Sequence, residues 1–249
     1  MLTSTLAGLD KVLTWWSNSV SWAAGWYKSP RGYRLIFASS LMLPLAAATV
    51  VYYPSLSQWF FTDDFLWLEA ASNPDLGDFI EGSLSFPRRP TPYWRPLIDF
   101  YFFSMYRVFQ LDAGAYHTAN LLLHGTVGAL VVLLVHRVTR SLLTGLVAAV
   151  IFVIAPTYWT SVVWVSNATT LIAAAFALSA IVLYLWYVDV GERPILLGLG
   201  AAAFALALLA KETSFVVPGL MVVLGFAVWQ QAGRPVPNAC SCLSPPSCL

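Results

Sequence analysis

Two adjacent carboxylates, Asp63 and Asp64, follow the aromatic run Trp59, Phe60 and Phe61. Where an apolar segment ends, water thins and the dielectric falls, which raises a carboxylate pKa toward that of a useful general base. A pair can also divide the work, one member taking a proton while the other orients a ligand or metal. A divalent cation is therefore compatible with the pair, although no residue pattern demands a cofactor and no metal is assigned. The alternative is a solvated or helix-capping acidic pair. Further on, Pro90 to Pro96 reads Pro-Thr-Pro-Tyr-Trp-Arg-Pro. Each proline restricts itself and its predecessor, so the run is stiff and extended and delivers Arg95 to the start of a helix. That guanidinium can meet a phosphate through two parallel hydrogen bonds, or snorkel toward lipid headgroups.

Three more groups of polar residues stand in apolar surroundings. His117, Asn120 and His124 are spaced i, i+3 and i+7 and share one helical stripe. Such a stripe faces protein or a watery cavity, as interhelical glue or as a substrate pocket. Metal binding by the two histidines ranks low, because they stand two turns apart with no third ligand in sight. Tyr158, Trp159 and Trp164 precede Asn167 and form either an interfacial belt or a platform for a sugar ring or prenyl chain. Asn167-Ala168-Thr169 also matches a glycosylation sequon. Finally, Lys211-Glu212-Thr213 separates two apolar runs with almost no loop, as a paired turn or as charges facing an anionic ligand.

The elements that must carry these residues belong to a membrane. Of 249 residues, 59% are hydrophobic and only 10% charged, and the mean hydropathy is +0.71; a soluble domain does not have that composition. Six apolar stretches approach spanning length, at 35–53, 118–135, 142–155, 170–188, 195–210 and 215–229. A seventh, 97–109, is short and carries Asp99 and Arg107, which favours an interfacial or juxtamembrane helix. The chain thus divides into a cytoplasmic interfacial segment at 1–34 bearing Trp15, Trp16, Trp22 and Trp26, a membrane module at 35–229 with a long outer loop at 54–115, and an irregular tail at 230–249. That tail holds Cys240, Cys242 and Cys248 and reads as a disordered or truncated end.

Net charge is +1, which offers nothing for nucleic acid, so the positions of the basic residues matter more than their sum. With Lys28, Arg31 and Arg34 inside, a six-span path puts His136, Arg137, Arg140, Arg193 and Arg234 inside as well. Asp63, Asp64, Arg95, His117, Asn167 and Lys211 then share the outer face. Arg88, Arg89, Arg95 and Arg107 oppose the positive-inside rule there, and an anionic ligand is one reason to hold them outside.

The succession Phe61-Thr62-Asp63-Asp64, Tyr93-Trp94-Arg95-Pro96-Leu97, His117 through His124, Phe152 to Pro156 with Val163 to Asn167, and Ala210-Lys211-Glu212-Thr213 with Pro218 resembles the amino-terminal membrane module of GT-C glycosyltransferases. The likeness spans residues 35 to 229. It is nearest to tetratricopeptide-containing transmembrane O-mannosyltransferases and their bacterial relatives, and looser to protein O-mannosyltransferases and lipid A aminoarabinose transferases. The resemblance implies an all-α, GT-C-like membrane fold of about six spans with juxtamembrane helices in the first outer loop. It also implies transfer of a sugar from a polyprenyl-phosphate carrier to a protein, lipid or glycan acceptor on the non-cytoplasmic side, in the plasma membrane of a bacterium. Asp63 and Asp64 would correspond to the catalytic acidic pair, and Arg95 and Lys211 to the residues meeting the lipid phosphate. His117, Asn120, His124, Trp164, Asn167 and Glu212 would line the pocket. The competing expectations are a transporter or lipid-handling protein, and an inactive fragment of a longer transferase.

Overall fold

A computed structural model describes residues 30–72, 75–84, 93–190 and 193–231. The amino-terminal tryptophans, Arg88, Arg89, Pro90, Thr91, Pro92 and all three cysteines lie outside these residues. Among the described residues there are helices and no strands. The α-helices run α1 Pro30–Tyr52, α2 Asp64–Ser72, α3 Leu76–Leu84, α4 Pro96–Phe109, α5 Ala113–Thr139, α6 Leu142–Ile154, α7 Trp159–Val163, α8 Ala168–Val190, α9 Pro194–Ala210 and α10 Val217–Gln231. Four stretches are long and apolar enough to cross a membrane, namely Arg31–Ser57, Ala113–Thr139, Val165–Asp189 and Glu212–Gln231. A fifth is reached if α6 and the Pro156–Val163 pair, bent by 55°, count as one span. The chain is an all-α membrane protein that passes the bilayer several times.

The apolar stretch expected at 142–155 is shorter than a span because α6 stops at Ile154. Pro156 has no N–H to offer Phe152, so the ladder fails there and the chain turns through a short 3-10 turn into α7. The stretch at 195–210 is the 17-residue α9, about 25 Å long at 1.5 Å per residue, somewhat under the hydrocarbon thickness of about 30 Å. It packs chiefly along α8. The segment at 97–109 folds as α4, a separate helix lying beside α2, with Phe100 and Val108 exposed.

Helix α5 is the axis of the bundle, touching α1, α6 and α8. It approaches α1 closely because glycine faces it. A Cβ on Gly125 would stand 2.6 Å from Leu45 Cδ1, and one on Gly128 would stand 2.7 Å from Pro44 Cβ. Hydrogen bonds sort the polar residues to the two ends of this axis. At one end Ser166 bonds both Asp63 and Asp64, Arg95 bonds Glu212, and Lys211 bonds Thr170. At the other end Arg137 and Arg140 both pair with Asp189, the Tyr33 hydroxyl approaches His136, and Gln231 donates to the Val138 carbonyl.

Candidate functional site

The acidic pair is built on a sharp reversal. Thr62 has φ 54°, a left-handed conformation that a β-branched residue rarely adopts, and α2 starts two residues later. Asp64 is fully buried. Its Oδ2 accepts from the Phe61 N–H at 3.1 Å and its Oδ1 from the Ser166 N–H at 2.6 Å. Burial raises the Asp64 pKa above the usual carboxylate range. The two amide hydrogen bonds oppose that shift, and the neighbouring Asp63 charge adds to it. Asp63 is exposed, and its Oδ1 accepts from the Ser166 hydroxyl at 3.0 Å. One serine therefore touches both carboxylates, through its amide and its Oγ. Beside them Phe61 stacks on Trp164 with centroids 5.8 Å apart.

A cationic cluster sits one helical turn further along the same stretch. Lys211, in the junction between α9 and α10, donates from Nζ to Thr170 Oγ1 at 2.8 Å. Arg95, at the start of α4 and nearly buried, grips Glu212 through Nε at 3.1 Å and Nη2 at 2.7 Å. Its guanidinium also lies 4.4 Å over the Tyr93 ring. Burial lowers the Lys211 pKa and the Arg95 charge lowers it further, while Glu212 partly restores it. Ser166 lies in the 3-10 turn before α8 and Thr170 in the first turn of α8, so the partners of the anionic and cationic groups stand four residues apart.

Two residues beyond Arg95 and two beyond Thr170, Leu97 and Ile172 begin the walls of an apolar cleft between α4 and α8. Tyr101, Met105, Val108 and Phe176 continue it, to a volume of about 390 Å³.

The histidine stripe goes elsewhere. His117, Asn120 and His124 are all fully buried against the broken stretch that joins α6 to α8. His124 Nε2 meets the Val153 carbonyl at 3.2 Å; a carbonyl only accepts, so Nε2 carries the proton. Asn120 Nδ2 lies 3.0 Å from the Trp164 carbonyl and 3.4 Å from those of Val162 and Val165. His117 approaches the carbonyls of Gln58 and Val162 without closing a hydrogen bond of normal geometry. Asn167 donates from Nδ2 to the Thr160 carbonyl, inside the same stretch. Of the residues singled out from the sequence, the structure brings Asp63, Asp64, Trp164, Arg95, Lys211 and Glu212 to one region. It sets His117, Asn120, His124 and Asn167 behind that region, where Asn120, His124 and Asn167 meet backbone carbonyls and His117 closes no hydrogen bond.

Ser166 and Thr170 are the members that sequence reasoning passed over. Their one signal is that they are hydroxyls flanking the start of an otherwise apolar helix. Among the described residues no group of three or more His, Cys, Asp or Glu side chains could hold a metal. No family model matches the chain, and no curated protein or solved structure is significantly similar to it.

Proposed function

We propose that the chain is a membrane glycosyltransferase that moves a sugar from a polyprenyl-phosphate donor to an acceptor on the non-cytoplasmic side. One observation carries this reading: carboxylates, cations and an apolar cleft follow one another along the start of α8, in the order that a sugar, a phosphate and a prenyl chain would require. Asp63 and Asp64 flank Ser166, Lys211 reaches Thr170 with Arg95 beside it, and the cleft opens immediately beyond. In this scheme the prenyl chain lies between α4 and α8, where burial of apolar surface supplies affinity. Lys211 and Arg95 meet the phosphate.

Asp63 is the better placed base. It is exposed, whereas Asp64 is buried with both oxygens occupied by backbone amides. Asp63 takes the proton of the acceptor hydroxyl as that oxygen attacks the anomeric carbon. The bond to the phosphate oxygen breaks, and the electron pair leaves with the lipid phosphate. The two cations offset the charge that develops there, the kind of preorganised electrostatic contribution that usually dominates such catalysis. Resemblance to the GT-C module supports the same assignment.

The test is transfer from a lipid-linked sugar in purified membranes. Asp63→Asn is expected to lower turnover by at least about 10²-fold, the range that general-base loss covers, with donor binding retained. Full activity in both Asp63→Asn and Asp64→Asn ends the proposal.

A further inference from the structure

At the break between α6 and α8 the helical ladder is interrupted: residues 156–160 are exposed, 162, 163, 165 and 166 are buried, and the Trp164 and Val165 carbonyls accept from the Asn167 and Ala168 amides. In a membrane such groups must be satisfied by protein. Helix α5 adds side-chain donors to this stretch in order. His124, together with the Tyr52 hydroxyl at 3.2 Å, takes the Val153 carbonyl at the end of α6. One turn earlier on α5, Asn120 Nδ2 donates to the Trp164 carbonyl at 3.0 Å and lies 3.4 Å from those of Val162 and Val165, at the end of α7 and in the turn before α8. Val165 is the residue before Ser166, so its carbonyl and the Ser166 N–H belong to the same peptide plane. The Ala168 N–H and Asn120, which both meet the Val165 carbonyl, therefore together aim the Ser166 amide. That amide points at Asp64 Oδ1 at 2.6 Å, and the Ser166 hydroxyl meets Asp63 at 3.0 Å.

We infer that Asn120 is a positioning residue for the acidic pair: by fixing the 162–165 backbone it sets the orientation of Ser166, and through Ser166 the placement of both carboxylates. The kinetic half of this inference rests on the transferase reading; the structural half does not. Asn120 touches neither carboxylate, and it lies away from the α4–α8 cleft and from Lys211. Loss of its amide should therefore disturb the acidic pair and leave donor binding alone.

The experiment uses the full chain in lipid nanodiscs with Asn120→Thr and Asn120→Leu. The threonine variant is the mild one. Thr118, Thr126 and Thr139 on the same helix each donate to the carbonyl four residues back, and a threonine at 120 would do likewise, withdrawing the donor from the 162–165 carbonyls without breaking α5. Amide hydrogen exchange over residues 162–167 is expected to accelerate at least about tenfold in both variants, with α9 unchanged. Turnover is expected to fall on the order of 10²-fold, as for a misplacement of about 1 Å, while the donor KM stays within about twofold. Unaltered exchange at 162–167 in folded Asn120→Thr overturns the inference. So does a donor KM that rises in step with the loss of turnover. Faster exchange in a protein whose parent transfers no sugar upholds the positioning role and removes the transferase reading, so the two failures are separable.

Discussion

Asp64 and Thr62 show how much of the site is held under tension by its own neighbours. Asp64 is buried beside another carboxylate, and although two backbone amides oppose the shift, its proton affinity is higher in the fold than in the unfolded chain. The stability it contributes is full below pH of about 4, the unperturbed aspartate value, and drains away as pH rises through the folded pKa. Melting temperatures measured across that range should therefore fall more steeply for the parent than for Asp64→Asn. At low pH the variant should be the weaker of the two, because a side-chain amide presents an N–H where the carboxylate accepted one, at a cost of about 1–3 kcal/mol. Thr62 is a separate case. Its left-handed backbone carries a cost that glycine would not incur, offset in part by glycine's greater chain entropy. Thr62→Gly is expected to gain up to about 1 kcal/mol in denaturant titrations while lowering turnover, because the reversal that presents Asp63 becomes one of several available conformations. A loss of stability would show that the threonine side chain contributes more than its backbone costs.

At the level of elements, close approach between helices does what a loop would do in a soluble enzyme. Gly128 lets α5 contact both Pro44 of α1 and Val153 of α6, whose Cγ2 would stand only 2.9 Å from a Cβ at this position. Gly128→Ala must move backbone-anchored atoms, and a destabilisation of about 1–3 kcal/mol is expected, read as loss of monodisperse protein on heating in detergent. Gly219, which has nothing within 4 Å of a would-be Cβ, is the matching control and should tolerate Ala. The amino-acid sequence locates these helices better than it locates their ends. Its apolar stretches mark each long helix, because composition over about twenty residues is decisive in a membrane. The end of α6 is legible, since Pro156 closes the apolar stretch at 142–155, but the short α7 that follows it and packs against α5 is not. Arg95 and Glu212, separated by 117 positions, carry no local signal that they pair. The histidine stripe does lie on one face of α5, yet its use as backbone support follows only from the break it lies against.

For the whole molecule, the separation of polar groups to two ends of the bundle makes a directional prediction. With Cys240, Cys242 and Cys248 replaced by serine, a membrane-impermeant maleimide should label Ser57→Cys on intact cells. It should reach Thr139→Cys, at the Arg137–Asp189 end, only after permeabilisation. Both positions are exposed, and they lie on opposite ends of the α1–α5 pair. The reverse pattern would place the acidic pair in the cytoplasm and remove the outward-facing transferase reading. It would leave the fold untouched, since the helix packing does not depend on which compartment each end meets. The grip of Arg95 on Glu212 has a consequence at this same scale. It ties the start of α4 to the α9–α10 junction and means that the cation is already occupied when a donor arrives. In the proposed reading Glu212 is a resident competitor, a built-in place-holder whose displacement every incoming phosphate must match. Such a toll disfavours weakly charged lipids more than it disfavours phosphates, so the pair would act as a filter on which headgroups linger.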